Sequence, residues 1–190
     1  IEIDLQNKPT NFLEISPYGK VPVLKDGDNR VWESAIINEY LDEAFPEPPL
    51  LPKEPFQRAQ ARIWINFADT RLFAATGKLL YGSDPQSRTK ILQEIAEHLL
   101  FIEREGLPKM SDRGPYWLGS EISLVDLTYY PWFEQLAVLE HFRSFQLPSG
   151  LDRLKVWWEA VANRESVRSI AKSREFYIES YARFAQSSKA

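Results

Sequence analysis

The 190-residue chain is long enough for one ordinary domain or two small ones, and its 44% apolar and 26% charged residues are typical of a folded globular protein. Its 27 acidic and 23 basic residues give a net charge of −4 without any basic stripe, so we expect no nucleic-acid partner. It has no cysteine and two histidines, which excludes thiol chemistry within these residues and leaves too few ligands for an expected metal site. Without a long apolar run or a signal-like start, we expect a cytoplasmic protein that does not enter a membrane.

The first residues predict short strands. Apolar and acidic residues alternate over residues 1–5, which is typical of a half-buried strand. Residues 8–15 predict a brief helical or irregular turn, and the Pro and Gly of residues 16–19 end it. Two β-prone segments, 21–24 and 30–32, flank an Asp-Gly pair and predict an antiparallel hairpin.

A helix and a linker follow the hairpin. Apolar residues recur at helical spacing over residues 34–45, with Ser34 suited to be the N-cap. Four prolines within residues 46–52 cannot continue a helix, so we expect a linker over residues 47–54.

The rest of the chain, residues 55–190, is expected to be all-α. Capping signals support two helix starts, at Asp84 before Pro85 and at Ser123 with Asp126 three positions later. The predicted helices are residues 55–82, 85–105, 124–140, 150–163 and 173–187.

Pro22 stands at the head of a β-prone segment, where a proline needs a reason because it has no amide hydrogen to donate. A cis Val21-Pro22 bond would turn the backbone of Val21 outward, ready to pair with an extended peptide ligand. The ordinary alternative is a trans proline at the first strand position, and base rates alone favour it.

Glu33 and Ser34 come directly after the second hairpin strand and open a helix. The Ser34 hydroxyl, its backbone amide and the helix dipole could together hold a carboxylate. The alternative is an ordinary helix cap with an acidic neighbour, and the pair taken alone favours it.

The order of these features resembles the cytosolic glutathione transferase family over essentially the whole chain. The most specific parts are the segment Pro-x-Gly-Lys-Val-Pro-Val-Leu over residues 17–24 and the Glu-Ser pair that begins eleven residues after Pro22. The resemblance implies an α/β thioredoxin-like N-terminal domain, residues 1–46, which binds glutathione, and an all-α C-terminal domain, residues 55–190. The start of the chain looks most similar to the omega, lambda and dehydroascorbate reductase-like branch.

The resemblance also implies roles for single residues. Pro22 would be the cis proline after Val21, whose backbone would pair with the cysteinyl unit of glutathione. Ser34 and Glu33 would hold the γ-glutamyl end, and Lys20 would lie near the glycyl carboxylate. For Lys20, an ordinary solvated loop lysine is an equally good interpretation.

The family's thiol-activating residue, a Tyr, Ser or Cys, lies just after the first strand, and by the resemblance it is expected upstream of Ile1. The first strand and first helix of the domain would be missing from the printed sequence. We therefore assign no catalytic residue within these 190 residues.

The implied function is that of an enzyme with glutathione as co-substrate, acting in detoxification or redox chemistry. It would either conjugate glutathione to small electrophiles or reduce mixed disulfides or dehydroascorbate, and a homodimer is implied as well. The alternative is a non-catalytic interaction or scaffold module with the same fold.

An acceptor pocket is harder to locate, because an aromatic side chain at helical spacing more often belongs to the core. Neither His98 nor His141 shows a partner in the sequence, and both are interpreted as surface or helix-end residues. The candidate pocket residues are Trp64, Phe67, Arg71, Phe73, Phe176, Tyr177 and Tyr181.

Overall fold

A computed structural model of the chain describes residues 1–4, 7–82, 84–107 and 114–186, with side chains up to residue 182 in the last range. The chain forms two compact units, Ile1–Leu50 and Leu51–Ala190. Among the described residues, no helix combines the length and the apolar character needed to cross a bilayer.

The first unit contains a hairpin and one long helix. The elements are α1 (Phe12–Ile15), β1 (Val23–Asp26), β2 (Asn29–Trp32) and α2 (Ser34–Ala44). The hairpin is antiparallel, with Val23 opposite Trp32 and Asp26 opposite Asn29. Its turn is tighter than predicted, because Gly27 has a positive φ of 57° that suits a two-residue turn.

Helix α2 is tied to the hairpin and to the end of the unit by two side chains. Tyr40 donates its hydroxyl hydrogen to Asp26 at 2.5 Å, and this hydrogen bond raises the pKa of Tyr40. Asp42 accepts a hydrogen bond from the Leu50 amide at 2.6 Å. The predicted hairpin and the predicted helix after it are both present, with a shorter turn in the hairpin.

The predicted strand over residues 1–5 is wrong for residues 1–4, and Leu5 lies outside the described residues. A strand is held by backbone hydrogen bonds to a neighbour, and among the described residues the two strands of the sheet pair only with each other. The Asn7 amide instead donates to the Asp4 carbonyl at 3.2 Å, which bends the chain there.

The described residues of the second unit form helices joined by loops, with no strand apart from one isolated bridge between Tyr116 and Gly119. The predicted helices over residues 55–82 and 85–105 each form, and each contains a π-helical turn, at Ala68–Leu72 and Ile102–Gly106. The helices are α3 (Pro55–Phe67), α4 (Phe73–Tyr81), α5 (Pro85–Phe101), α6 (Leu124–Glu134), α7 (Leu136–Arg143), α8 (Asp152–Ala162), α9 (Glu165–Arg168) and α10 (Arg174–Gln186).

Two of these helices replace the single helix predicted over residues 124–140. Helix α6 ends at Glu134, because Gln135 has a ψ of 7° that leaves the helical region, and α7 then runs to Arg143. Pro131 inside α6 removes one backbone donor, which weakens the helix at this point. Helix α9 is an additional short helix that the sequence pattern did not predict.

Both predicted capping signals are confirmed. Asp84 accepts a hydrogen bond from the Gln86 amide at 2.9 Å, and Asp126 accepts one from the Ser123 amide at 2.7 Å. Asp126 is fully buried and also accepts from the Trp117 amide at 2.8 Å and from the Trp157 indole at 2.7 Å. Its carboxyl therefore joins the start of α6 to the aromatic core.

That core is built from large rings packed at right angles or in stacks. Trp117 stacks on Tyr129 with ring centroids 4.2 Å apart and meets Trp157 edge-on at 5.7 Å. The Tyr129 hydroxyl donates to the Trp64 carbonyl at 2.8 Å, so a buried polar group is satisfied. Phe133 extends the core toward Trp157.

Candidate functional site

The site begins in the first unit with a tight turn over residues 16–20. Ser16 is buried, and its hydroxyl donates to the Lys20 carbonyl at 2.6 Å while accepting from the Lys20 amide at 3.0 Å. The Gly19 amide donates to the Ser16 carbonyl at 2.9 Å, and Gly19 has the positive φ of 62° that this turn requires. Lys8 donates to the Gly19 carbonyl at 2.9 Å.

Beyond the turn, the Val21-Pro22 peptide bond is cis. The geometry implied by the family resemblance is therefore present, and the base-rate expectation of a trans bond is wrong. Strand β1 begins only at Val23, because Pro22 has no amide to contribute to the ladder. Val21 thus lies outside the paired strand, with an exposed side chain.

The start of helix α2 differs from the sequence prediction. Ser34 is the first helical residue and not the N-cap, which is Glu33. Glu33 has φ 68° and ψ 120°, a conformation that side-chain-bearing residues rarely adopt, and its side chain makes no capping hydrogen bond. The chain turns sharply at Glu33, and this turn leaves the Ser34 side chain at the exposed N-terminal end of the helix.

All five binding residues predicted from the sequence line one small cleft of about 60 Å³ in this unit. The cleft is lined by Lys20, Val21, Pro22, Glu33 and Ser34, together with Ser16, Tyr18 and Trp32. It combines one cation, one carboxylate, a serine at a helix N-terminus and a backbone segment outside the ladder. These groups are complementary to a short, extended peptide that carries two carboxylates and one ammonium.

Three of the lining residues were not singled out from the sequence. Tyr18 and Trp32 form one wall, with their rings 6.2 Å apart and edge-on, and Ser16 lies at the base of the turn. Tyr18 lies within the Pro-x-Gly segment and Trp32 ends the hairpin, but no spacing rule indicates that the two rings face each other. The buried position of Ser16 had no sequence signal.

A larger cavity of about 660 Å³ lies within the helical unit, between α3 and α5. Three of the candidate acceptor residues, Trp64, Phe67 and Arg71, line it, and Phe101 packs against both rings at 5.7 and 5.3 Å. Trp64 also belongs to the buried core, where it packs on Trp117. Of the other candidates, Phe73 packs on Tyr129.

The cavity also corrects the interpretation of His98 as a residue without a partner. Its ring packs edge-on against Phe67 at 5.4 Å, and its Nε2 lies 3.7 Å from a Glu94 carboxylate oxygen. Burial lowers the pKa of His98, and Glu94 acts in the opposite direction. His98 lies in the last turn of α5, so its interpretation as a helix-end residue is confirmed.

Within the described residues, no cluster of three or more His, Asp or Glu side chains could hold a metal ion. The hairpin with its adjoining helix and the helical unit after it together define a thioredoxin-like N-terminal domain followed by an all-α domain. The fold class expected from the sequence is confirmed.

Comparisons with known proteins agree with this class. The family described as glutathione S-transferase, N-terminal domain, matches residues 1–49, and the corresponding C-terminal domain family matches residues 85–160. Glutathione S-transferase U25 of Arabidopsis thaliana is 36% identical over 171 residues, which are 87% of this chain and 73% of that protein. A probable cytosolic glutathione S-transferase DHAR1 of Oryza sativa subsp. japonica is 32% identical over 182 residues, 95% of this chain and 78% of that protein.

A solved structure is similar as well. The crystal structure of rice GST1 in complex with glutathione has a TM-score of 0.82 and 27% identity, and the match covers 98% of this chain and 84% of that chain. The chain belongs to the glutathione S-transferase family. The expectation of a glutathione-dependent enzyme of this family, with glutathione as co-substrate, is confirmed.

Proposed function

We propose that the cleft formed by Lys20, Val21, Pro22, Glu33 and Ser34 binds glutathione and presents its thiol to a small electrophilic or disulfide substrate. The observation that carries this proposal is the convergence of all five residues on one cleft. They come from two separate parts of the chain, and folding places a lysine, a free backbone segment and a helix N-terminus together.

The chemical groups of glutathione suit the cleft one by one. The α-carboxylate of the γ-glutamyl end would accept hydrogen bonds from the Ser34 hydroxyl and amide at the N-terminus of α2, where the helix dipole favours negative charge. The neighbouring ammonium would pair with the Glu33 carboxylate. Lys20 would supply a flexible positive charge for the glycyl carboxylate.

The middle of the ligand would bind through its backbone. Val21 lies just before β1 and outside the hairpin ladder, so its amide and carbonyl are positioned to pair with the cysteinyl unit of an extended peptide. Backbone pairing fixes the direction of the peptide and the position of its thiol without requiring a particular side chain at residue 21.

Backbone geometry at Glu33 supports a binding role. A non-glycine residue at φ 68° costs on the order of 1–3 kcal/mol and persists where the surrounding structure holds it in place. Such residues concentrate at ligand sites, because the unusual backbone directs a side chain where ordinary geometry would not. Here it leaves the side chains of Glu33 and Ser34 in one cleft.

We assign glutathione binding to residues 1–46, with residues 47–54 as a linker and the all-α domain over residues 55–190. We also propose a cytoplasmic homodimer that acts in detoxification or redox metabolism. Light scattering would measure the mass in solution, and a mass of 22.1 kDa would contradict the dimer. Assays with an aromatic halide and with dehydroascorbate would separate conjugation from reduction.

Calorimetric titration of glutathione into the wild type and into Ser34→Ala tests the binding site. Loss of hydrogen bonds to a carboxylate is worth about 1.5–3 kcal/mol, so we expect binding to weaken about tenfold or more. Ser120→Ala is a matched control, because Ser120 is an exposed serine in the helical unit. Equal affinity of the wild type and Ser34→Ala would remove Ser34 from the site, and no saturable heat in the wild type would favour a scaffold module.

Charge variants test the two ends of the ligand separately. Lys20→Met should weaken binding several-fold and reduce its dependence on salt concentration, because one ionic contact is lost. Glu33→Gln should also weaken binding, because the ammonium of the γ-glutamyl end loses its ionic partner. The exposed residues Lys25 and Glu14 of the same unit provide the controls Lys25→Met and Glu14→Gln, which should bind as the wild type does.

A further inference from the structure

We propose that Ser16 is a positioning residue for the glutathione site and that it acts through Lys20; this inference depends on the proposed function. Ser16 is 1% exposed, and in residues 1–4 and 7–50 it is the only buried polar side chain. Burial of a hydroxyl is unfavourable unless both its donor and its acceptor are satisfied. Here a single residue satisfies both.

The two hydrogen bonds run in opposite directions between the same groups. The Ser16 hydroxyl donates to the Lys20 carbonyl at 2.6 Å and accepts from the Lys20 amide at 3.0 Å. Rotation of the Lys20 backbone in either direction would break one of these bonds. The hydroxyl therefore fixes both peptide groups of Lys20, where one bond alone would leave the residue free to rotate.

Lys20 is the residue immediately before Val21 and Pro22, so its backbone sets where the ligand-pairing segment begins. Its carbonyl belongs to the peptide group that also contains the Val21 amide. Fixing that carbonyl consequently fixes the direction of the Val21 N–H, which we propose pairs with glutathione. The Lys20 side chain starts from the same fixed backbone.

The other residues of the turn contribute less to holding the Lys20 backbone in place. Gly19 has a φ of 62° and is bonded to Ser16 only through backbone groups, and the Lys8 contact to Gly19 is an exposed one. Ser16 lines the same cleft as Lys20 and Ser34, but its hydroxyl is already used by Lys20. Ser16 is therefore expected to influence the ligand through Lys20 rather than by touching it.

A double-mutant cycle tests this route. Glutathione affinity is measured by calorimetry for the wild type, Ser16→Ala, Lys20→Met and the double variant, on the full chain. We expect Ser16→Ala to weaken binding about fivefold to tenfold. Without the two hydrogen bonds of Ser16, the backbone of Lys20 and Val21 must be ordered when glutathione binds. The loss in the double variant should be clearly smaller than the product of the two single losses, because both changes weaken the contact of the Lys20 side chain with the glycyl carboxylate.

A second ligand makes the readout specific. γ-Glutamylcysteine lacks the glycyl carboxylate that Lys20 is proposed to hold, so the wild type should prefer glutathione over it. Ser16→Ala should reduce that preference, and Ser16→Thr, which keeps the hydroxyl, should restore it. A general loss of structure would weaken the binding of both ligands alike and leave the preference for glutathione over γ-glutamylcysteine unchanged.

The outcomes are distinguishable. If the wild type does not bind glutathione, the proposed function and this inference both fail. If the wild type binds and Ser34→Ala weakens binding, but Ser16→Ala has wild-type affinity or is additive with Lys20→Met, only the role of Ser16 is overturned. If Ser16→Ala does not fold, Ser16→Cys is used instead, because a thiol has a similar shape to the hydroxyl and forms weaker hydrogen bonds. The effect of Ser16→Cys on glutathione affinity should also be non-additive with that of Lys20→Met, by a smaller factor.

Discussion

The two units of the chain achieve order by different means. In the described part of residues 1–50, the buried side chains are Phe12, Ser16 and Ile37, and the candidate site depends on backbone conformation at residues such as Pro22 and Glu33. The helical unit has a dense aromatic core that is joined at one point by a buried carboxylate. The comparison indicates that binding groups are held by turns in the first unit, while packing and buried hydrogen bonds determine stability in the second.

The largest expected effect is on the helical unit. Asp126→Ala should lower the free energy of unfolding by about 3 kcal/mol or more, because it removes a buried hydrogen-bond network that joins Ser123, Trp117 and Trp157. Urea denaturation followed by tryptophan fluorescence measures this, since five of the six tryptophans lie in this unit. The exposed Glu121 gives the control Glu121→Gln, and a loss as small as in that control would contradict the account.

Arg143 tests a second buried polar group of the helical unit. Its guanidinium donates to the Leu79 carbonyl at 2.8 Å and to the Leu80 carbonyl at 2.6 Å, at the end of α4, and burial lowers its pKa. Arg143→Met should cost about 2 kcal/mol, because two buried carbonyls lose their donor. Arg143→Lys should recover part of this loss, since an ammonium cannot reproduce the planar fork.

The measurement is the same urea denaturation, with the exposed Arg168→Met as the control. If Arg143→Met unfolds at the same urea concentration as Arg168→Met, the buried guanidinium does not stabilise the end of α4.

Two residues with positive φ compare the units directly. Glu33 has φ 68° at the candidate site, and Ser144 has φ 54° at the left-handed C-cap of α7. Replacement by glycine should stabilise each variant by about 0.5–1 kcal/mol, because glycine adopts positive φ without strain. Glu33→Gly should also weaken glutathione binding, whereas Ser144→Gly should leave it unchanged.

Thermal unfolding and glutathione calorimetry on the two variants separate stability from binding. Retained affinity in Glu33→Gly would show that the strained residue has no role in binding. Weaker glutathione binding by Ser144→Gly would contradict the view that Ser144 only ends helix α7.

The smallest expected effect is a pH dependence at His98. Because burial lowers the pKa of His98 below its ordinary value of 6.5, the folded state favours the neutral ring, and Arg71 adds to this effect while Glu94 and Glu97 oppose it. The stability from this preference is present above pH 6.5 and is lost as the pH falls through the lowered pKa. Between pH 7.5 and pH 5, the free energy of unfolding measured with urea should therefore fall less for His98→Gln than for the wild type. An equal or larger fall for His98→Gln would contradict this role of His98.

The sequence predicted those parts of the fold that depend on local signals. Apolar spacing and caps at Asp84 and Ser123 indicated the long helices, and the Asp-Gly pair indicated the hairpin. The strand over residues 1–4 failed because a strand depends on a partner, which a short alternating pattern does not reveal. The break at Gln135 was also missed, although Pro131 was a visible sign of a weak point.

For the candidate site, the sequence supplied the residues but not their arrangement. The resemblance named Lys20, Val21, Pro22, Glu33 and Ser34, and the structure places them in one cleft. The sequence did not reveal that Glu33 takes the N-cap position, because the φ of a single residue depends on how the strand meets the helix. Nor could it reveal Ser16, whose two bonds to Lys20 form only when the whole turn is folded.

The most direct test of the central claim is a glutathione titration followed by two-dimensional amide NMR of the ¹⁵N-labelled chain. We predict that the largest saturable shifts occur at the amides of Lys20, Val21, Glu33 and Ser34, with the Trp32 indole affected as part of the same cleft. Amides around Asp126 in the helical core should serve as the internal reference. Shifts confined to other residues, or shifts that do not saturate, would contradict a glutathione site in this cleft.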